Sequence, residues 1–151
     1  MTPVTSIPKP LIRLAAALLL AAAAVLPVTN PAAANGNLPA PIQTWYEALG
    51  AVDRSALEDV LSDDARIDLR DLGVVQTRDE FLDSLDAWAE ANKNAEILTR
   101  PGKAAGNNGI TVEVCYRFPS NEALFEETFE LSGEKIARSV QQQISENCEG
   151  F

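Results

Sequence analysis

Residues 110–145 decide the fold class, and they read ITVEVCYRFPSNEALFEETFELSGEKIARSVQQQIS. Apolar and polar side chains alternate along most of this stretch, a period of two that is typical of strands with one buried face. Short polar connections at residues 119–122 and 132–133 interrupt the alternation at hairpin spacing. The sequence therefore predicts three consecutive antiparallel strands, at about 110–118, 123–131 and 134–145.

The alternation places one acidic residue on an apolar strand face. Glu127 shares its face with Phe129. A two-residue turn at 132–133 would pair Glu127 with Arg138 and Phe129 with Ile136, which keeps the apolar residues of both strands on one side. We therefore expect Glu127 and Arg138 to face each other on the buried side of the sheet.

Two interpretations of this pair remain open at the level of sequence. A carboxylate and a guanidinium are costly to bury unpaired, so they could form an internal ion pair or a pair at the rim of the sheet. They could instead form the polar floor of a ligand pocket. Gln142 would then add a donor and an acceptor on the same face, and aromatic walls would come from the side chains Trp45, Tyr46 and Tyr116.

The chain before residue 93 has helical periodicity. One apolar helical face is predicted from the residues Ile42, Trp45, Tyr46 and Leu49. Ser55 with Glu58, and Thr77 with Glu80, match capping boxes that would begin a second and a third helix. A strand is predicted at 65–69 between them, and another at 95–100. Helices followed by antiparallel strands predict an α+β fold with the helices on one sheet face.

The first 34 residues have the features of a signal peptide. Lys9 and Arg13 precede 13 uninterrupted apolar residues at 14–26, fewer than the roughly 20 that a spanning helix needs. Ala32 and Ala34 match the small-x-small pattern of a cleavage site. We expect cleavage after Ala34, export to the periplasm or beyond it, no stable membrane anchor, and one domain over 35–151.

The composition excludes several classes of function. Residues 35–151 carry 10 basic and 22 acidic residues, a net charge of −12, which argues against nucleic-acid binding. The sequence contains no histidine, so histidine triads and histidine metal sites are excluded. No calcium loop or phosphate-binding loop matches. We expect no metal and no cofactor.

Cys115 and Cys148 are the only cysteines. An even pair in an exported protein favours a disulfide, and we expect an intramolecular bridge. It requires the tail after residue 145 to fold back over the outer sheet face, since the Cα atoms must approach within about 7 Å. Free thiols or an intermolecular bridge are the alternatives.

Residues 45–69, WYEALGAVDRSALEDVLSDDARIDL, resemble the nuclear transport factor 2-like superfamily, which includes SnoaL-like cyclases and ketosteroid isomerases. The most specific part is the Asp-Asp-Ala turn at 63–65, and the resemblance covers residues 38–147. It implies a cone-shaped α+β barrel, in which three N-terminal helices pack in the concavity of a curved antiparallel sheet around a pocket. It also implies a homodimer through the outer sheet face, although the polar residues there argue against a dry obligate interface.

The catalytic residues of that superfamily carry over only in part. The isomerase tyrosine of the first helix corresponds to Trp45, with Tyr46 beside it. The general-base aspartate corresponds to Leu69, and the acid of a late strand falls on or near Glu127. The aspartate–histidine pair of the cyclases has no counterpart, since histidine is absent.

Two functions are consistent with this pattern. The first is an exported, non-catalytic pocket domain that binds a small apolar ligand or a protein partner. The second is an isomerase, cyclase or dehydratase that uses Glu127 as pocket acid or base. The surroundings of Glu127 separate them: an ion pair in a filled core excludes the enzyme, whereas an open apolar pocket favours it.

Overall fold

The structure, a computed structural model, describes residues 38–103 and 109–151. The predicted signal peptide and its cleavage site lie outside the described residues. No helix in the described ranges is long and apolar enough to span a membrane. The elements in chain order are α1 (Ala40–Ala51), α2 (Arg54–Val60), β1 (Leu61–Leu69), a 3₁₀ turn (Arg70–Leu72), β2 (Val74–Thr77), α3 (Arg78–Asp83), α4 (Leu85–Ala91), β3 (Glu96–Pro101), β4 (Ile110–Arg117), β5 (Glu122–Ser132) and β6 (Lys135–Ser145).

The helices pack against one curved sheet, which confirms the α+β class. The six strands lie in the order β2-β1-β6-β5-β4-β3. All neighbours are antiparallel except β1 and β6, which are parallel. The sheet is therefore mixed rather than purely antiparallel. A parallel pair needs a long crossover connection, and the chain between β1 and β6 supplies one.

Helix α1 follows the predicted apolar face. Ile42, Trp45 and Leu49 are buried, and a proline in the first turn suits the helix start. Helix α2, however, begins differently from the prediction. Asp53, not Ser55, is its N-cap, because the Asp53 carboxylate accepts a hydrogen bond from the Ala56 N–H at 3.0 Å.

The third predicted helix is present but divided. Its capping box is confirmed: Thr77 Oγ1 accepts from the Glu80 N–H, and the Glu80 carboxylate accepts from the Thr77 N–H at 2.8 Å. At Ser84 the hydroxyl donates to the Phe81 carbonyl, and the helix breaks into α3 and α4 there. A serine side chain that bonds to the backbone of the preceding turn commonly bends a helix.

The predicted register of the last hairpin is wrong. Leu131 lies opposite Ile136, but Glu130 lies opposite Arg138, so Ala137 is an extra residue in β6. Such a β-bulge leaves one residue unpaired and shifts every later side chain of the strand to the other face. Alternation alone does not reveal this insertion, because Ala137 is compatible with either face.

The intramolecular disulfide is confirmed. Cys115 and Cys148 are bonded, with their Cα atoms 5.8 Å apart. They lie on the outer sheet face in a small apolar cluster with Leu124. The Phe151 ring lies 4.2 Å from the Arg100 guanidinium carbon, so the C-terminal tail is held to the sheet at a second point.

Strand β2 is an element that the sequence analysis did not predict. It pairs with β1 at the edge of the sheet, and its residues Val74 and Val75 are exposed. Because neither face of this four-residue strand is buried, its sequence shows no alternation.

Candidate functional site

A cavity of about 450 Å³ lies between the helices and the inner face of the sheet. Its walls are mainly apolar, and five aromatic side chains contribute to them. These are Trp45, Phe81, Trp88, Tyr116 and Phe125. The Trp45 and Phe81 rings stack with centroids 5.0 Å apart, and Tyr116 meets Phe125 edge-to-face at 5.5 Å. Ring packing of this kind gives the walls a defined shape.

Glu127 is the buried carboxyl of the cavity lining. Glu127 is only 2% exposed. The Tyr46 hydroxyl donates to Glu127 Oε2 at 2.7 Å, and the Ser139 hydroxyl donates to Oε1. The indole N–H of Trp45 lies close enough to the carboxyl to affect its pKa, although Nε1 has no hydrogen-bond partner among the described residues. The carboxyl is thus held by neutral groups and not by a cation.

Burial controls the ionisation of this site. Desolvation raises the pKa of Glu127, and the hydrogen bonds from Ser139 and Tyr46 oppose that rise. Burial, followed by the charge of Glu127, also raises the pKa of Tyr46 and of Tyr116. Both phenols therefore remain protonated at neutral pH.

The β-bulge decides which residues of β6 reach the cavity. Gln141 and Gln143 line it, and Gln141 Nε2 donates to the Tyr116 hydroxyl at 3.4 Å. Glu127 lies opposite Gln141 in the sheet. Gln142 faces the other side, where the Arg70 guanidinium approaches it at 3.5 Å.

Arg138 lies outside the site, contrary to the prediction. Its side chain is 44% exposed and pairs with Asp68 at 3.3 Å and with Glu130 at 3.7 Å on the outer face. The predicted Glu127–Arg138 pair therefore does not exist, because the bulge at Ala137 turns Arg138 outward. Gln141 lies opposite Glu127 in its stead, and the Ser139 hydroxyl hydrogen-bonds to the Glu127 carboxyl.

Four of the six residues predicted for the pocket lie together. Trp45, Tyr116 and Glu127 line the cavity, and Tyr46 hydrogen-bonds to Glu127 behind its wall. The other two, Arg138 and Gln142, lie on the opposite face. Sequence reasoning missed the members that follow the bulge, namely Ser139, Gln141 and Gln143. Trp88, which is half-buried in the cavity wall, was also missed as a member of the site.

The positions that correspond to the superfamily's catalytic residues, Trp45, Leu69 and Glu127, all line the cavity. Leu69 lines the cavity, so the position that corresponds to the isomerase base faces the pocket but carries an alkyl side chain. Asp68 points outward to Arg138, whereas Asp71 lies at the mouth of the cavity. The Asp71 carboxylate accepts a hydrogen bond from the Gln143 N–H at 2.6 Å. Asp71 is therefore the only carboxylate besides Glu127 among the described lining residues.

The arrangement can bind an apolar body and place one polar group near Glu127. It can also exchange a proton through Glu127. The described residues contain no group of three or more carboxylate or thiolate side chains that could hold a metal ion.

Comparison of sequences finds no match: no family model and no curated protein resembles the chain at a significant level. Comparison of structures finds similar proteins. An NTF2-like protein of unknown function from Burkholderia xenovorans superimposes with a TM-score of 0.57 and 18% identity, over 74% of this chain and 84% of that one. A proposed ketosteroid isomerase from Kribbella flavida has a TM-score of 0.56 and 13% identity, over 70% and 76%.

A third protein, from Catenulispora acidiphila, has a ketosteroid isomerase-like fold and was crystallised in complex with trimethylamine. It has a TM-score of 0.53 and 16% identity, over 70% of this chain and 86% of that one. At these identities the similarity establishes the architecture and not the activity. The helices that pack against a curved six-stranded sheet, the cavity between them and these superpositions together show that the chain has the nuclear transport factor 2-like fold.

Proposed function

We propose that this protein is an exported, non-catalytic pocket domain that binds a small molecule with a largely apolar body. The observation that carries the proposal is the cavity itself, with aromatic walls and one buried carboxyl that no cation of the described residues neutralises. Pockets of a few hundred Å³, mainly apolar with few polar groups, are the usual form of small-ligand sites. The trimethylamine complex of the Catenulispora protein supports a small ligand.

Among the described residues, no second group suited to proton transfer lies beside Glu127, which supports binding over catalysis. An isomerase of this architecture needs a base as well as an acid, and Leu69 stands at the position of the base. Asp71 is exposed at the mouth and already accepts a backbone hydrogen bond. Tyr46 and Tyr116 hold their protons because burial raises the pKa of both phenols.

The binding proposal can be tested by fluorescence, because both tryptophans of the chain line the cavity. The probe is N-phenyl-1-naphthylamine, a neutral apolar fluorophore excited by energy transfer from Trp45 and Trp88. We expect saturable binding that Ala87→Phe weakens, since Ala87 lines the cavity. Ala91→Phe, an exposed position in the same helix, is the matched control. Binding that is equal in both variants would place the probe elsewhere and remove the basis of the proposal.

Export is the second part of the proposal. It is supported by the basic residues and the 13 apolar residues that precede Ala34, and by a disulfide, which persists in oxidising compartments. We expect N-terminal sequencing of the secreted protein to begin at Asn35. Retention of Met1 on membrane-bound protein would contradict it. Native mass spectrometry of the same sample would report a retained ligand, a protein partner or a homodimer.

A second candidate function is an isomerase, cyclase or dehydratase that uses Glu127. It is favoured by one observation: burial raises the pKa of a carboxyl that lines an open cavity, which is how enzymes prepare an acid or base for neutral pH. The test is turnover of a β,γ-unsaturated ketone by the wild type, by Glu127→Gln and by the exposed control Glu126→Gln. Turnover that only Glu127→Gln abolishes would establish the enzyme, and its absence in all three proteins supports the binding function.

A further inference from the structure

The charged groups of the cavity all have the same sign. Asp71 at the mouth and Glu127 at the inner end are its ionisable carboxyls, and no lysine or arginine is found among the described residues that line it. Two arginines close in the chain to cavity-lining residues lie on the outer face instead, where Arg138 pairs with Asp68 and Arg70 contacts Gln142. When Glu127 is ionised, the cavity therefore has a negative potential that none of the described lining side chains cancels.

We propose that the ligand of this cavity is an organic cation, an apolar body that carries an ammonium group bound between the aromatic rings close to Glu127. This inference rests on the proposed binding function and specifies the chemical class of its ligand. It differs from that function in requiring a charge on the ligand.

The aromatic walls suit such a group. An ammonium ion within about 6 Å of the face of a tryptophan, tyrosine or phenylalanine is attracted by the ring quadrupole, more strongly where water is excluded. Trp45 and Tyr116 line the cavity beside Glu127 and are themselves buried. Rings and a carboxylate that converge on one space are the combination by which proteins recognise alkylated ammonium groups.

The existing hydrogen bonds of Glu127 favour an alkylated cation over a cation that must donate a hydrogen bond to the carboxyl. Each carboxyl oxygen already accepts one hydrogen bond, from the hydroxyl of Tyr46 or of Ser139. These donors orient the carboxylate without neutralising it, since both are uncharged. A quaternary ammonium group needs no hydrogen bond, so it can supply the missing opposite charge by proximity alone. Its charge would offset the cost of keeping Glu127 ionised in a desolvated place.

The opposite possibility is a neutral ligand with an oxygen acceptor. It would bind while Glu127 is protonated and donates a hydrogen bond to that oxygen. The two possibilities predict opposite effects of pH. A cation binds more tightly as Glu127 loses its proton, whereas a neutral acceptor binds more weakly. The titratable groups that face Glu127 from the other elements are Tyr46 of α1 and Tyr116 of β4, which stay protonated because burial raises the pKa of both. The remaining carboxyl, Asp71, can be removed separately.

The experiment compares two probes of the same shape, benzyltrimethylammonium and its neutral carbon analogue neopentylbenzene. Binding is measured by the fluorescence of Trp45 and Trp88 and by calorimetry, at several pH values. We expect the cation to bind at least about tenfold more tightly than the neutral analogue, a difference of about 1.4 kcal/mol. We expect Glu127→Gln to abolish that preference, Glu126→Gln to leave it unchanged, and Asp71→Asn to reduce it only in part.

Failure of this inference is distinguishable from failure of the binding function. Equal or tighter binding of neopentylbenzene, weakened by Ala87→Phe, would refute the cation and leave the pocket function intact. A preference for the cation that persists in Glu127→Gln would also refute the inference, because a group other than Glu127 would then attract the ammonium charge. If neither probe nor N-phenyl-1-naphthylamine binds, both proposals fall together.

Discussion

Replacement of Glu127 by glutamine changes the charge of the site while nearly preserving its shape. The wild-type carboxyl is 2% exposed and is held by the hydroxyls of Tyr46 and Ser139. Because burial raises its pKa in the folded protein, the folded state binds this proton more tightly than the unfolded chain does. Stability from this group is therefore fully present below the ordinary carboxyl pKa and is lost as pH rises through the folded-state pKa.

The magnitude follows from linkage. The wild type loses about 1.4 kcal/mol for each pH unit that separates the unfolded and the folded pKa of Glu127. The glutamine of Glu127→Gln cannot ionise, so the variant does not show this loss of stability. We expect the free energy of unfolding of the variant, relative to wild type, to rise between acidic and neutral pH and then to level off. A domain of this size gains roughly 4 °C in melting temperature for each kcal/mol.

The assay is urea denaturation followed by tryptophan fluorescence across this pH range, with Glu126→Gln as the control. Residue 126 is exposed on the other face of the same strand. Its replacement should therefore change the free energy of unfolding little, and this change should not increase with pH. Tyr46→Phe should enlarge the pH-dependent loss, since it removes a hydrogen bond that lowers the pKa of Glu127. If the difference between Glu127→Gln and wild type is constant, or falls as pH rises, hydrogen bonding outweighs burial and the reasoning is refuted.

Three further predictions follow from individual contacts. Arg138→Ala should cost less than about 1 kcal/mol by chemical denaturation, because its ion pairs lie at a surface where its side chain is 44% exposed; a loss of about 3–5 kcal/mol would instead indicate a buried pair. Replacing Cys115 and Cys148 together by serine should lower the free energy of unfolding by about 2–4 kcal/mol, and two reactive thiols in the denatured, unreduced wild type would disprove the bridge. Asp53→Ala should cost about 1 kcal/mol as the loss of a helix cap, whereas Ser55→Ala should change the denaturation midpoint little; the reverse order would restore Ser55 as the cap.

The correct and incorrect parts of the site prediction have different physical origins. Glu127 was placed inside because it alternates in step with Phe125 and Phe129 on its own strand, a local property that no partner strand alters. The inward faces of α1 and β4 also follow from local periodicity, so the placement of Trp45 and Tyr116 is correct as well. Arg138 and Gln142 required the pairing of two strands, and that pairing contains a bulge.

The sequence alone determined the features that depend on neighbours along the chain. The change of hydrophobic period from helical to alternating established the α+β class, and Thr77 with Glu80 established a helix start through a bond between residues three apart. The cysteine pairing was also predicted, since two cysteines permit only one intramolecular bridge.

How the strands meet and what encloses the cavity could not be predicted from local sequence patterns. The parallel pairing of β1 with β6, the bulge at Ala137 and the placement of Ser139 beneath Glu127 arise from contacts between distant segments. An extra residue in a strand costs little where the turn and the core can absorb it, so its position is chosen by the packing of the whole sheet. For that reason the partner of Glu127 proved to be a neutral hydroxyl, and the charge of the cavity became visible only once the chain was folded.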